Sequence, residues 1–243
     1  WLRPQPFMPR YITCTPWGVR GNIPEARYRH WTPEVSVQYR INGQGMRADR
    51  DFSLEPSAGT CRIALFGDYY FMGYELNLED TVASVLERKL ESSGYNAEIL
   101  NFSVSGFGTA EMLLTYRGHA RKFHPDVVVM QWHETDPDDN VRSNLFAMEN
   151  GRLEQISDAY LPSVSTQDLL MRSAIYRFAA DHSHLYSVVR ERAATAVKKL
   201  LLEMSTERST AATAKTHSSA SERAVPELDY AWLLSGRLVE EFR

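Results

Sequence analysis

The feature that most constrains this chain is an alternation of short apolar runs and amphipathic stretches between residues 62 and 132. Residues 62–66 and 97–100 are typical of two buried strands, and residues 126–132 form a third and stronger one. A strand–helix–strand–helix–strand order requires crossover connections, which place the strands parallel in one sheet. The predicted fold class is therefore α/β, a three-layer α/β/α sandwich with a parallel sheet.

The two stretches between these strands carry the start and stop signals of helices. Asp80 is placed to cap a helix over residues 81–92, which Gly94 ends. Thr109 is placed to cap a second helix, and Pro125 ends that segment. The apolar positions that repeat with helical spacing are Val82, Val85, Leu86 and Leu90 in the first helix and Leu113, Tyr116, Ala120 and Phe123 in the second.

The N-terminal quarter differs from this core in composition. Residues 1–60 are rich in Pro, Arg, Trp and Tyr and have no long apolar period. We expect an extended arm that packs on a core of residues 61–204, with one strand at 35–41 and a turn at 41–45, where Asn and Gly tolerate positive φ.

The C-terminal part is predicted to be helical with one interruption. Residues 167–180 and 184–204 have helical patterns, whereas residues 205–226 are rich in Ser, Thr and Ala and are typical of a flexible linker. Residues 227–243 are predicted to form the last helix of the same core. Its expected stripe is Leu228, Trp232, Ser235, Val239 and Phe242.

The number of strands is small for such a sheet. Open doubly wound sheets usually have about four to six strands, and a thinner sheet leaves one edge exposed. We therefore expect further strands, supplied either by chain that follows residue 243 or by another molecule.

Charge and hydropathy exclude some functions. The formal net charge is −4, so the polycationic surface typical of nucleic-acid binding is absent. The sequence contains no run of eighteen apolar residues, so it predicts no transmembrane segment. The chain begins at Trp1, so we expect either a removed leader or a fragment. Cys14 and Cys61 form either one disulfide or two unpaired thiols, and their spacing does not decide between the two.

Ligands of open α/β sheets bind at the carboxyl ends of the strands, which here means the loops at 67–73, 103–109 and 133–140. These loops carry three ordered motifs, "RIALFGDYYFMGYELNLEDTVASVLERKL", "NFSVSGFGTAE" and "HPDVVVMQWHETDPDDN". Together they resemble the first three conserved blocks of the SGNH/GDSL hydrolases. The likeness extends over about residues 35–205 and implies a flavodoxin-like sheet order.

The resemblance assigns catalytic positions that this chain fills with other residues. The nucleophilic serine of the family corresponds to Tyr69, and the oxyanion asparagine corresponds to Thr135. The oxyanion glycine corresponds to Gly106, which is retained. For the family's Asp-x-x-His, two placements remain open. Either the stretch 229–232 (DYAW) is that block, with Trp at the histidine position, or the block is absent from this chain.

The chemical consequence is a degenerate site. Acyl transfer needs an activated hydroxyl, a base in hydrogen-bonding reach and donors for the oxyanion. A phenol is bulkier than the serine hydroxyl and ionises near pH ~10. We therefore expect no catalytic residues and a binding role for the pocket residues Asp68, Tyr69, Gly106, His133, Thr135 and Asp136. Ser103 and Ser105 are expected to hydrogen-bond within their turn.

Acidic residues after the third strand do not form a calcium loop. Asp136, Asp138 and Asn140 have a 1-3-5 spacing, but Val141 stands where an EF-hand requires glycine. We predict a solvated acidic turn, no metal and no cofactor. His133 either binds a ligand or hydrogen-bonds its own loop.

The resulting hypothesis is a non-catalytic SGNH-like binding or structural subunit. It would bind a protein partner, a glycan or a lipid, as part of a larger extracytoplasmic or membrane-associated assembly. The alternative is an esterase or a carbohydrate O-acetyltransferase-like enzyme with an atypical site. The extracytoplasmic location is an expectation from the resemblance.

Overall fold

The computed structural model describes residues 12–31, 34–157 and 227–242, together with isolated residues between 169 and 193. The helices predicted over 167–180 and 184–204 lie largely outside these residues, and the linker predicted at 205–226 lies wholly outside them. The proposed domain boundaries stay a prediction.

A three-stranded parallel sheet forms the centre of the molecule. β5 (Cys61–Phe66) lies between β6 (Ala97–Asn101) and β7 (Val127–Met130), so the order is β6-β5-β7. In this register Ile63 pairs with Ile99 on one side and with Val127 on the other. The strands are apolar because helices cover both faces of a parallel sheet. The predicted α/β class is confirmed.

The crossover helices cover opposite faces of the sheet. α2 (Val82–Ser92) packs on the face that carries Leu65 and Ile99. α3 (Thr109–Gly118) packs on the face that carries Phe66 and Leu100. The C-terminal helix α5 (Glu227–Glu240) lies on this same side through Leu234 and Leu238. Helices on both faces complete the three layers.

Both predicted helix caps are wrong by one residue. Thr81 caps α2, since its Oγ1 accepts a hydrogen bond from the Ser84 N–H at 3.4 Å, whereas Asp80 belongs to the 3-10 turn Leu78–Asp80. Gly108 precedes α3, and its N–H donates to the Glu111 carboxylate at 3.1 Å. α3 also ends at Gly118, and a separate 3-10 turn, Ala120–Phe123, follows it.

In its described residues, 12–31 and 34–60, the N-terminal arm contains two hairpins. β1 (Ile12–Cys14) pairs with β2 (Arg20–Asn22), and β3 (Arg27–Trp31) pairs with β4 (Ser36–Arg40), both antiparallel. β4 confirms the strand predicted at 35–41. The turn after β4 is closed by the hydrogen bond from the Asn42 N–H to the Met46 carbonyl, at 2.9 Å.

The predicted acidic turn after β7 is a helix. α4 (Asp136–Ser143) starts with Pro137 in its first turn, a position that suits proline because its missing N–H needs no helical partner. Asp138 and Asp139 follow there and interact favourably with the helix dipole. The calcium-like spacing therefore lies along a helix and not in a loop.

A hairpin that the sequence analysis missed follows α4. β8 (Phe146–Glu149) pairs antiparallel with β9 (Arg152–Gln155). Asn150 and Gly151 connect them with φ values of 51° and 77°. An Asn-Gly pair with two positive φ angles is the preferred two-residue hairpin turn, so this dipeptide was the available signal.

The stripe predicted for the last helix is right at Ser235, which is buried, and at Phe242, which packs on the core, but wrong at Trp232 and Val239. α5 buries Ala231, Leu234, Ser235 and Leu238, whereas Trp232 is 50% and Val239 is 37% exposed. The predicted residues and the buried residues both repeat with helical spacing. Only packing against α3 and α4 selects which face of the helix is buried.

β7 is an edge strand in the part of the chain that the structure describes. It pairs with β5 on one side, and no described strand pairs with its other side. Val127 and Val129 are 43% and 36% exposed there. Where further strands come from stays a prediction. Among the described residues, no helix combines the length and the apolar character that crossing a bilayer requires.

Candidate functional site

A tight turn after β5 carries Tyr69, the residue that the resemblance assigns to the nucleophile position. A Cβ on Gly67 would lie 2.6 Å from Gln131 Oε1, so only glycine fits there. Gln131 Oε1 accepts hydrogen bonds from the backbone N–H groups of Asp68 and Phe71, both at 3.3 Å. Asp68 Oδ1 accepts from the Tyr70 N–H at 2.9 Å. These bonds start the short helix α1 (Tyr69–Met72) at the carboxyl edge of the sheet.

The other end of α1 is held by a buried arginine. The Arg47 guanidinium donates to the carbonyl oxygens of Met72 at 3.1 Å and Gly73 at 2.6 Å, and also to that of Leu76. It stacks over the Tyr39 ring, 4.0 Å from the ring centroid. Because a cation at a helix C-terminus stabilises the unpaired carbonyls, Arg47 holds the turn that presents Tyr69.

Tyr69 presents a protonated phenol to solvent. Its side chain is 40% exposed, and its ring lies 4.2 Å from that of Tyr70, centroid to centroid. The hydrogen bond to the Tyr70 hydroxyl is the main cause that raises the pKa of Tyr69 to about 12. At pH 7 only about one phenol in 10⁵ is then ionised, which makes it a poor nucleophile.

Gly106 needs the conformational freedom of glycine, because its φ of 77° lies in the left-handed region. Its carbonyl oxygen accepts a hydrogen bond from Arg20 Nη2 at 2.5 Å. A Cβ here would lie 3.1 Å from the same guanidinium. The retained glycine thus packs against the N-terminal arm through Arg20, a residue that the sequence analysis did not identify.

The third loop joins its two candidate residues to each other. His133 Nδ1 lies 2.9 Å from Thr135 Oγ1 and accepts from the Thr135 N–H at 3.3 Å. A nitrogen that accepts an N–H carries a lone pair, so the threonine hydroxyl donates to it as well. The His133 ring stacks on Tyr70 at a centroid distance of 6.1 Å. His133 therefore hydrogen-bonds within its own loop, which was one of the two roles predicted for it.

Asp136 is buried, with 3% of its surface exposed, and is not part of a solvated turn. Its Oδ2 accepts from the His133 N–H at 3.1 Å and the Thr109 hydroxyl at 3.5 Å. Burial raises the pKa of Asp136 to about 6, and the neighbouring charges of Asp139 and Asp68 add to the rise. The hydrogen bond from the His133 backbone N–H lowers the pKa of Asp136 and so offsets part of this rise.

Asn140 ties three helices together beneath this loop. Its Oδ1 accepts from the Ala110 N–H at 2.9 Å, and its Nδ2 donates to Ser235 Oγ at 2.8 Å. It is fully buried. Asn140 is thus a structural partner of α3 and α5, and Asp136 is a partner of α3 through the Thr109 hydroxyl.

The comparisons with known proteins give weak likenesses. No protein family model and no curated protein matches the chain. Among solved structures, AlinE4, described as an SGNH-hydrolase family esterase, is 29% identical over 35% of this chain and 46% of its own, with a TM-score of 0.31. TesA is 16% identical over 74% of this chain and 94% of its own, with a TM-score of 0.30.

The match to AlinE4 spans less than half of that protein. TM-scores this low do not superpose the molecules as wholes, so neither activity nor substrate passes from these structures to this chain. The fold class rests on the parallel sheet and its flanking helices.

The structure brings the first and third loops together. Tyr70 and His133 stack across the gap between them, and Asp68 lies close enough to Asp136 to influence its pKa. Gly106 instead faces Arg20. Within the described residues, no histidine is hydrogen-bonded to the Tyr69 hydroxyl.

Besides Arg20 and Arg47, the sequence analysis missed the structural roles of Gln131 and Asn140 at this site. Gln131 is the polar residue that directly follows the apolar strand β7, which was a usable signal. Asn140 was considered only for a metal, because its helix and its partner Ser235 lie far apart in sequence.

Exposed aromatic side chains surround the same edge of the sheet. Trp132 and Trp232 are 40% and 50% exposed, and their rings lie 5.1 Å apart. Tyr70 is 54% exposed. We refer to Tyr69, Tyr70, Trp132, His133 and Trp232 as the aromatic surface.

Proposed function

We propose that this chain is a non-catalytic binding subunit with an SGNH-hydrolase-like fold. The observation that carries the proposal is Tyr69. A phenol with a pKa of about 12, bonded to a second phenol, stands where the resemblance requires an activated serine. A group this weakly acidic does not form the nucleophile of an acyl transfer at neutral pH.

The environment of Tyr69 supports the same proposal. Nδ1 of His133, the imidazole on the third loop, is engaged by Thr135. The Thr135 hydroxyl is in turn engaged by that nitrogen and is not a free donor for an oxyanion. Loss of one oxyanion donor costs a factor of roughly 10²–10³ in rate, and loss of the nucleophile and its base costs more.

The aromatic surface supports binding to a protein partner. Exposed Tyr and Trp are enriched in protein interfaces, where they bury large areas at a small entropic cost. Val127 and Val129 extend the apolar area along the edge of β7. We propose a partner polypeptide within an extracytoplasmic assembly. Binding of a glycan or lipid at the same surface is the alternative outcome.

An esterase assay tests the non-catalytic role. We expect the purified protein to hydrolyse p-nitrophenyl acetate no faster than buffer, because the Tyr69 phenol is almost wholly protonated at neutral pH. Tyr69→Phe and Tyr69→Ser should both stay at that background, since the serine would have no base bonded to it. Turnover above buffer that disappears in Tyr69→Phe, with an acetyl group on Tyr69 by mass spectrometry, would establish the atypical enzyme instead.

Site-specific photo-crosslinking in the source cell tests the binding surface. We expect p-benzoylphenylalanine in place of Trp132 or Tyr70 to give adducts with another polypeptide. The matched control is Tyr95, which is 65% exposed and precedes β6 at the opposite end of the sheet. Equal adducts at all three positions, or none at Trp132 and Tyr70, would contradict a protein partner at the aromatic surface.

A further inference from the structure

The aromatic surface lies among acidic residues. Residues 67–80, which follow β5, and residues 132–141, which follow β7, each carry four acidic residues and no lysine or arginine. The second loop, 102–110, has no charged residue, and its Ser103 hydroxyl, expected to hydrogen-bond in the turn, is instead buried without a partner among the described residues. The formal net charge of the whole chain is only −4, so the sequence outside these segments is net positive.

Two of these carboxylates are exposed beside the aromatic surface. Glu134 directly follows His133, and Asp138 lies in the first turn of α4. Neither forms a hydrogen bond or an ion pair with a described residue, whereas Asp139 is paired with Arg142 at 2.8 Å. The dipole of α4 accounts for an acidic residue at Asp138 but not for Glu134, which precedes the helix.

The rings of the aromatic surface present open faces next to these carboxylates. Tyr70, Trp132 and Trp232 are 54%, 40% and 50% exposed. The cation–π contacts between described residues lie elsewhere, so no described cation covers these three rings. The face of a tryptophan or tyrosine ring attracts a cation, and in proteins that cation is most often the guanidinium of arginine.

We propose that the aromatic surface binds an arginine-bearing segment of a partner polypeptide. The guanidinium stacks on an exposed ring and donates to the carboxylate of Glu134 or Asp138. Arginine suits this surface better than lysine, because its planar and weakly hydrated guanidinium can stack on a ring and bond a carboxylate at its edge. The inference rests on the proposed function, since it names the chemistry of the partner that binds there.

A short peptide tests this recognition directly. The probe has the sequence GRLGRLG with blocked ends, and its control carries citrulline, which has the shape of arginine but no charge, at both arginine positions. In ligand-observed NMR titrations at low salt, we expect the arginine peptide to bind about tenfold more tightly than the citrulline peptide. The preference should shrink at about 0.5 M NaCl, because salt screens exposed charges. Equal affinities, or no binding of either peptide at millimolar concentration, would overturn the proposal.

Charge variants locate the binding site. Glu134→Gln combined with Asp138→Asn should reduce the preference for the arginine peptide to about threefold or less. The matched control combines Glu55→Gln with Glu91→Gln. It removes the same net charge from exposed residues that precede β5 and end α2, at the opposite end of the sheet. The control should keep the full preference. Equal losses in both double variants would show that net charge alone attracts the peptide, and would overturn the proposal.

The contribution of the rings is tested with Trp132→Leu, which keeps an apolar side chain but removes the ring. We expect the preference for arginine over citrulline to fall about threefold, while binding of the citrulline peptide changes less. An unchanged preference would overturn the stacking of arginine on this surface.

Crosslinking in the source cell separates this inference from the proposed function. With p-benzoylphenylalanine at Tyr70, we expect Glu134→Gln combined with Asp138→Asn to reduce the adduct several-fold and the control double variant to leave it unchanged. An undiminished adduct would overturn the arginine-bearing segment while the protein partner of the proposed function stands. Absence of any adduct in the parent would overturn the proposed function and this inference with it.

Discussion

Arg62→Met is expected to lower the free energy of unfolding by about 3–5 kcal/mol. Arg62 is fully buried in the central strand β5. Its Nε donates to Glu98 at 2.7 Å, and its Nη1 donates to the carbonyl oxygens of Leu54 at 2.6 Å and Phe123 at 2.8 Å. Methionine has a similar volume but donates nothing, so the carboxylate and both carbonyls would lose their partner.

The position of these partners explains the size of the effect. Glu98 lies on β6, Phe123 ends the turn before β7, and Leu54 belongs to the segment that leads from the arm into β5. A single guanidinium therefore joins the segment after the arm to the central sheet and to the turn that follows α3. Its five donors suit this role, whereas a lysine has one ammonium and would recover only part of the stability.

Urea unfolding, followed by circular dichroism, measures the change. Arg50→Met is the control, because Arg50 forms an ion pair with Glu87 at 2.7 Å while its side chain is 51% exposed. Exposed pairs contribute about 0–1 kcal/mol, so this variant should stay close to the parent. Similar losses in the two variants would mean that the network around Arg62 does not hold the sheet.

Asp136→Asn is expected to stabilise the protein at pH 7 by up to about 3 kcal/mol. The pKa of Asp136 rises from 3.8 in the unfolded chain to about 6 in the folded one. Between these values the folded state holds the proton and the unfolded state releases it. Stability therefore falls as pH rises through this window, and above it the buried charge is a constant cost.

Asparagine removes that cost without removing the structure. Its Oδ1 can accept from the His133 N–H and the Thr109 hydroxyl as the carboxylate does. The difference in melting temperature between variant and parent should be largest above pH 6 and should vanish below pH 4. Taking the difference cancels the separate effect of His30 and His119, whose pKa values burial lowers.

Asp138→Asn is the matched control, because Asp138 lies on the same helix and is exposed. It should show no pH-dependent gain between pH 4 and 7. If Asp136→Asn destabilised the protein at pH 7, or if both variants gave the same profile, the charge of Asp136 would not be the cause of the pH dependence.

Local patterns in the sequence were enough for the central sheet. The apolar runs of β5, β6 and β7 and the helical spacing between them encode strand type and chain order. Parallel pairing follows because crossover helices connect the strands. The same logic placed Asp68, Tyr69, His133, Thr135 and Asp136 at one edge of the sheet, since the carboxyl ends of parallel strands lie together.

The exact starts and buried faces of helices needed the tertiary structure. Asp80 and Thr81 are both good cap residues, and only the path of the chain after the 3-10 turn selects Thr81. In α5, Trp232 and Leu234 are equally apolar by type, yet packing against α3 and α4 buries Leu234 and leaves Trp232 half exposed. We predicted a turn from the acidic residues at 136–140. The first turn of a helix can have the same acidic composition, so composition alone does not distinguish the two.

Contacts between distant segments were beyond any local pattern. The Arg20–Gly106 hydrogen bond joins residues 86 apart, and the Asn140–Ser235 bond joins residues 95 apart. No local sequence pattern around these four residues predicts which partner each of them bonds. The sequence by itself determined the α/β class, the strand order along the chain and the edge of the sheet at which Tyr69 and Asp136 lie, because short-range periodicity encodes the strands and their order. Only the tertiary structure decided which polar groups meet, which carboxyl group is buried and which aromatic rings stay exposed, because those follow from packing across the chain.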